Sequence, residues 1–260
     1  MDIVRQEALQ KPGERSRLWC YDEEALDELT EDMVSDKIRS IILWPRKSEP
    51  VEVQIKAQFS KMKNLRLLLI RNEPVVKQSL EYVTHVDFSY CNLITKISDL
   101  SMTPNVTNLI LNGCSNLVEI DDSVGRLDKL KVWDLGYCDK LETLPNCLTM
   151  KSLTSFNLRG CTRLKKFPNI LHEMKGVEYL DLEGNFTKEL PPSFGNLIGL
   201  KRLDVRLYSG EAHLPGSIYN LQHIEALEFM AMSYFQRMWR LIDSQCATLF
   251  VALPNMFFQC

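Results

Sequence analysis

Eight cysteines, four histidines and a series of recurring carboxylates are the residues of this 260-residue chain best equipped for chemistry. The cysteines are Cys20, Cys91, Cys114, Cys138, Cys147, Cys161, Cys246 and Cys260. Thiols in such number raise two prospects, a metal site or a disulfide framework. Among the histidines only His85, two residues from Asp87, resembles an acid/base couple, and that spacing is equally common on an exposed strand. The others, His172, His213 and His223, fall at unrelated places. No serine sits in a Gly-x-Ser-x-Gly frame, and no Gly-x-x-x-x-Gly-Lys-Ser/Thr loop is present to cradle phosphates. The chain is therefore expected to be no enzyme and to carry no cofactor or metal. What the cysteines do depends on their register.

That register is a repeat. An eight-position frame, apolar-x-x-apolar-x-apolar-x-x, followed by Cys or Asn, begins at Val83, Val106, Leu130, Leu153 and Val177, with starts 23, 24, 23 and 24 residues apart. Further copies start at Leu200 and Ile224, and less regular ones at Ile38 and Leu65, making about nine. The inward positions are Val86 and Phe88, Leu109 and Leu111, Trp133 and Leu135, Phe156 and Leu158, Leu180 and Leu182. Leu144-Pro145, Phe167-Pro168, Leu190-Pro191 and Leu214-Pro215 then end strand geometry and open the return path. Behind them, apolar residues three apart, such as Phe194, Leu197 and Leu200, suit a helical or tightly turned outer side. One coil cannot bury these side chains alone, whereas a stack can, at roughly 1.5–3 kcal/mol per fully buried aliphatic. The frame predicts an α/β solenoid, a leucine-rich-repeat horseshoe with about nine parallel strands on its concave face.

The ninth place holds Cys91, Cys114, Cys138, Cys161 and Asn185. It lies where the chain leaves the strand and turns inside the stack, so backbone groups there need partners. Asn donates and accepts, and Cys tolerates burial as a weak donor. Four cysteines stacked at about 4.8 Å per strand span roughly 14 Å, too far for ligands that must each lie about 2.3 Å from one zinc ion. Neighbouring strands allow disulfide distances, but parallel side chains in a reducing compartment disfavour pairing. The column is expected to be a structural ladder. Two glycosylation sequons, Asn105-Val106-Thr107 and Asn185-Phe186-Thr187, point outside the cell, yet Asn185 belongs to the inward column, where a glycan does not fit.

A net charge of −3, with 25% charged and 45% hydrophobic residues, describes a folded domain without the basic footprint that nucleic acid requires. The first residues lack an apolar signal-peptide core, and no stretch approaches the length of a membrane span, so no membrane partner and a cytoplasmic or nuclear location are expected.

Two features carry a family resemblance. Ile3-Val4-Arg5-Gln6-Glu7 followed by Pro12-Gly13-Glu14-Arg15-Ser16-Arg17-Leu18-Trp19 resembles the segment joining the switch module to the repeats in plant intracellular immune receptors with Toll/interleukin-receptor-like, nucleotide-binding and leucine-rich-repeat regions. Asp36-Lys37-Ile38-Arg39-Ser40-Ile41-Ile42-Leu43 is similar to their first repeat strand, and Gly113-Cys114 and Gly160-Cys161 to the Gly-Cys-x-x-Leu form of their repeats. The resemblance implies a disease-resistance role in which the repeats bind a pathogen effector or a guarded host protein, or restrain a switch domain, the chain being a partial receptor without its upstream domains. A free-standing repeat adaptor and an extracellular repeat inhibitor are the alternatives. The expected organisation is a linker and cap over 1–37, repeats over 38–229 and an irregular segment over 230–260.

Strand alternation sends the second, fourth and sixth residues after each start onto the concave face. There the candidate protein-binding residues are His85, Asp87, Asp134, Asn157, Arg159, Tyr179, Asp181, Glu183, Arg202, Asp204 and Arg206. They read as an acidic stripe beside basic residues, suited to charge-complementary recognition. At the N-terminal end the same columns hold Ile42, Trp44, Leu67 and Leu69, an apolar docking patch for a cover. A short helix over 22–33, with Leu26, Leu29 and Met33 on one face, is expected to contribute to that cover.

Overall fold

The computed structural model describes residues 17–20, 39–43, 63–70, 81–92, 94–97, 99–101, 103–185, 190–207 and 215–231. Ten strands form one wholly parallel sheet. They are β1 (Arg17–Cys20), β2 (Ser40–Leu43), β3 (Leu67–Ile70), β4 (His85–Asp87), β6 (Asn108–Ile110), β8 (Val132–Asp134), β10 (Ser155–Asn157), β12 (Tyr179–Asp181), β13 (Arg202–Leu207) and β14 (Ala226–Ala231). They lie side by side in chain order. Between them, β5 (Lys96–Ile97) pairs with β7 (Glu119–Ile120), and β9 (Cys147–Leu148) with β11 (Asn169–Ile170), as two minor sheets on the return path. Each coil thus supplies one rung of the main sheet, the arrangement of a leucine-rich-repeat solenoid.

The sheet register follows the sequence frame. Asp87, Ile110, Asp134, Asn157, Asp181 and Asp204 stand in one line across six strands. The inward aliphatics are buried, Leu109, Leu111, Leu135, Leu158 and Leu180 with no exposed surface, while Phe88 packs partly buried against the same core. Aromatic rings bind successive coils: Trp133 stacks on Phe156 at 4.7 Å between centroids, Phe156 tilts toward Phe167, and Phe167 meets Phe194 edge-on at 5.5 Å. The Trp133 indole N–H has no partner inside this apolar packing.

Three successive devices stop the central strands, the first of them at β4, β8, β10 and β12 but not at β6, which ends on Ile110. An Asp or Asn at the strand's last residue accepts the backbone N–H two positions on: Asp87 from Ser89, Asp134 from Gly136, Asn157 from Arg159 and Asp181 from Glu183, all at 2.8–2.9 Å. The chain then passes through a left-handed residue, Tyr90, Gly113, Tyr137, Gly160 or Gly184, with φ of 61, 73, 59, 72 and 79°. The Cys or Asn follows, its N–H returning to the carbonyl three residues back, as from Cys114 to Leu111 at 3.1 Å. Its side chain donates to the carbonyl of the preceding coil: Cys114 to Phe88, Cys138 to Leu111, Cys161 to Leu135 and Asn185 to Leu158, at 2.8–3.2 Å. All five column residues are fully buried. The thiols are poor acids: a hydrogen bond with Cys114 and then burial raise Cys138, and burial pushes Cys161 up to about 12. Thiols held this way remain protonated donors.

The structure departs from the sequence reading in three places. An additional strand, β1, lies within the stretch expected as linker and pairs in parallel with β2 from Arg17↔Ser40 to Cys20↔Leu43. The strand β14 runs to Ala231, past the boundary expected at 229. Among the described residues the outer side holds no α-helix, only 3-10 turns at Val124–Arg126, Pro192–Asn196 and Gly216–Asn220 and the minor strands. A repeat of 23 or 24 residues that spends its first nine on strand and turn leaves a short return path, and prolines at 191, 192 and 215 fix φ and remove donors along it. The expected helix over 22–33 and most of 230–260 lie outside the described residues.

Candidate functional site

The face of the main sheet opposite the core gathers every described candidate from β4 to β13 into three columns, one residue per coil. At its N-terminal side His85 is exposed, and its Nδ1 lies 2.8 Å from Thr84 Oγ1. Asp87 is turned to Ser89, accepting from both its N–H and its hydroxyl. The two side chains therefore spend these hydrogen bonds on their own strand ends rather than on each other. At mid-sheet Asp134 Oδ1 accepts from Gly136 N–H and also from Asn157 Nδ2 at 2.8 Å and Asn112 Nδ2 at 3.4 Å, tying three coils together.

On and just after β12 and on β13 the expected acidic stripe is buried. Asp181, Glu183 and Asp204 are 3, 8 and 5% exposed. The Tyr179 hydroxyl lies 3.0 Å from Asp181 Oδ2 and 3.2 Å from Asp204 Oδ2, one proton facing two carboxylates. Arg159 pairs with Glu183 at 2.7 Å and lies 3.9 Å from Asp181, and Arg202 Nε donates to Asp204 at 3.0 Å while its guanidinium stands 5.9 Å over the Tyr179 ring. Solvent meets the two arginine side chains instead, 40 and 50% exposed. Alternation fixes which side of the sheet a carboxylate occupies, but long arginines and a tyrosine on adjacent strands fold over the shorter acids. Over these coils the expected acidic stripe is a set of buried carboxylates paired with half-exposed arginines.

The electrostatics follow from that burial. Desolvation raises Asp181, with Asp204 reinforcing it against the stabilising N–H of Glu183 and hydroxyl of Tyr179. Burial, then the Asp181 carboxylate, holds the Tyr179 phenol well above its ordinary value. Burial works against the charge of Arg159, yet Glu183, Tyr137 and Asp181 outweigh it and keep the guanidinium more firmly protonated than usual. Among the described residues no three His, Cys, Asp or Glu side chains converge on a point where a metal ion would sit. The face offers fixed hydrogen-bonding groups and two held cations, the equipment of recognition.

The comparisons with known proteins agree with the repeats. No protein-family profile matches the chain. Over 238 residues, 90% of its length, it is 33% identical to the protein SUPPRESSOR OF npr1-1, CONSTITUTIVE 1 of Arabidopsis thaliana. It is 28% identical over 64% of its length to disease resistance protein RPP2A of Arabidopsis thaliana, and 30% identical over 59% to TMV resistance protein N of Nicotiana glutinosa. The chain is a homologue of plant disease resistance proteins. It spans 16, 12 and 14% of the lengths of these three relatives. A solved Leptospira interrogans leucine-rich-repeat protein aligns over 86% of this chain and 73% of its own, at 16% identity and a TM-score of 0.33, and the architecture rests on the strand ladder itself.

In this resistance-protein homologue the expected apolar docking patch is only partly visible. Leu67 is half-buried, and Ile42 and Leu69 pair across β2 and β3 as Cα partners, while Trp44 lies outside the described residues. Arg206 pairs with Met230 in the sheet. The sequence reading missed two exposed aromatics, Tyr90 and Tyr137, which stand one residue before the Cys column, where other coils place glycine. The signal was present: the same place reads Tyr, Gly, Tyr, Gly, Gly down the repeats.

Proposed function

We propose that this chain is a protein-recognition segment acting in plant defence inside the cell, binding a pathogen effector or a guarded host protein through the concave face, or restraining an attached switch domain. The observation that carries the reading is the 28 and 30% identity to two named resistance proteins over 64 and 59% of the chain, joined to a solenoid face of fixed polar groups. The half-exposed side chains of Arg159 and Arg202, each paired with a carboxylate of the same face, favour a partner that offers polar and acidic groups at that end. The segment is read as non-catalytic, because its one His-Asp pair is engaged locally at Thr84 and Ser89.

The test is site-specific photo-crosslinking in leaf tissue. A crosslinking amino acid at Asn108 or Ser155, half-buried in β6 and β10, should capture a discrete protein, whereas the same group at exposed Asn169 on the minor sheet should not. Capture only from Asn169, or from neither face, would overturn the assignment.

A further inference from the structure

We propose that Asp181, Tyr179 and Asp204 form a proton relay on the concave face, in which a proton held on Asp181 fixes the corner that Tyr179 makes with Arg202. As a regulation of that face it rests on the protein-recognition reading above. The Tyr179 hydroxyl stands at hydrogen-bond distance from two carboxylate oxygens, 3.0 Å from Asp181 Oδ2 and 3.2 Å from Asp204 Oδ2. Each such oxygen–oxygen contact takes one proton, and the phenol supplies one. Without a second, two anions that are both buried would share a single phenolic donor.

The neighbours decide where the second proton goes. Asp204 receives Arg202 Nε on both oxygens, at 3.0 and 3.2 Å, so its charge has a direct cationic donor. Among the described residues Asp181 has no cation at hydrogen-bond distance. Its Oδ1 accepts the Glu183 N–H at 2.8 Å, and Arg159 lies 3.9 Å from its Oδ2, the short contact of that guanidinium, 2.7 Å, being with Glu183. Tyr137 stands beside Arg159 and reinforces its charge. On β10 the Cα partner of Asp181 is Asn157, whose amide donates to Asp134 at 2.8 Å. The adjoining strands also carry Arg206 on β13 and Glu228, the Cα partner of Asp204 on β14.

Protonation of Asp181 completes the set. Its O–H donates to the Tyr179 oxygen and the phenol donates in turn to Asp204, so that each contact holds one proton. Burial acts in the same direction: desolvation, with Asp204 behind it, raises Asp181, and the phenol, held well above its ordinary value, keeps its own proton. As pH rises and the Asp181 proton leaves, the hydroxyl turns back toward Asp181 and is withdrawn from Asp204. The Arg202 guanidinium stands 5.9 Å over the Tyr179 ring, and both side chains reach solvent, so the change is felt at the surface a partner meets. The relay is a latch, closed below the elevated Asp181 value and open above it.

The experiment follows infrared difference spectra of the whole 260-residue chain through a pH titration, with the Arg202 Nε–H signal read by nuclear magnetic resonance. A protonated-carboxyl band persisting above the ordinary carboxylate range is expected, and Asp181→Asn should remove it. In Asp204→Asn the band should vanish at lower pH than in the wild type, because the phenol is then free to serve the ionised Asp181 and the neighbouring anion is gone. The Arg202 signal should broaden as the wild-type band is lost. It should stay sharp throughout in Asp181→Asn, whose amide donates to Tyr179 as the protonated acid does. No such band in the wild type, its survival in Asp181→Asn, an unchanged midpoint in Asp204→Asn, or an Arg202 signal indifferent to pH would each overturn the relay. None of these readings needs a partner, so their failure leaves concave-face crosslinking standing; failure of crosslinking removes the binding role while the relay remains measurable.

Discussion

The central coils and the last two differ in one respect that explains the others. In β4, β6, β8, β10 and β12 the strand lasts three residues, whereas β13 and β14 each last six and pair over their whole length. The inward residues of β13 are comparable with those of the central coils, since Leu203 and Val205 are as buried as Leu180 and Leu182. What changes is the strand ending. Asp204 occupies the same line as Asp181, but its side chain bonds Arg202 and Tyr179, and Leu207-Tyr208 stands where the central coils have Tyr-Cys, Gly-Cys or Gly-Asn. The sheet ladder then continues through Arg206↔Met230 and Leu207↔Ala231. Strand length in this solenoid is set by the turn chemistry after the strand, while the hydrophobic frame sets its position.

The comparison can be broken most severely at the shared core. Leu158→Ala should cost about 2–5 kcal/mol in denaturant unfolding, because a fully buried side chain leaves a cavity between two stacked coils. A loss near zero would show that the frame does not define the interior. Gly113→Ala attacks the ending instead: its Cβ would enter the Tyr90 ring on a turn at φ +73°, for about 1–3 kcal/mol. Restoration by a second change, Tyr90→Gly, would tie the cost to the ring rather than to the backbone alone. Cys138→Ala removes one ladder donor from the Leu111 carbonyl, which still accepts from Cys114 N–H, and should cost about 1 kcal/mol.

The smallest effect is the most diagnostic of the buried carboxylates. Burial raises Asp181, so the folded chain holds its proton to higher pH than the unfolded chain. Its contribution is favourable below the ordinary carboxylate range and is lost as pH rises through the elevated folded value. Asp181→Asn keeps an acceptor for the Glu183 N–H and removes the buried charge. The variant should therefore match or exceed the wild-type melting temperature at pH 7, with the advantage shrinking as pH falls into the carboxylate range. An advantage that grows on acidification would contradict the assignment. The opposite behaviour is expected at Asp122, which the Asn146 backbone N–H holds below its ordinary range and which stabilises the fold until acid protonates it.

Much of this architecture is legible in the sequence because two simple periods coincide in it. Alternation within the frame locates Leu109 and Leu111 or Phe156 and Leu158 inside, and the 23- or 24-residue repeat aligns Asp87 through Asp204 across the sheet. Depth on the concave side is not a property of period. Asp181 is covered because Tyr179 and Arg159 are long enough to reach it, and Arg202 covers Asp204 and the Tyr179 ring in turn. Nor does the frame describe β1, whose Arg-Leu-Trp-Cys departs from the repeat yet finds an edge at β2. The minor strands, two residues each, are too short to leave any periodic mark.

The thiol ladder also has a direction. The side chains of Cys114, Cys138, Cys161 and Asn185 all donate to the coil that precedes them in the chain, from Cys114 to Phe88 through Asn185 to Leu158. A coil therefore arrives with its own fastener and asks of its predecessor only a carbonyl, which every residue has. A duplicated unit therefore needs no matching change at this fastener in the coil before it. Surfaces built on this plan can be lengthened a coil at a time.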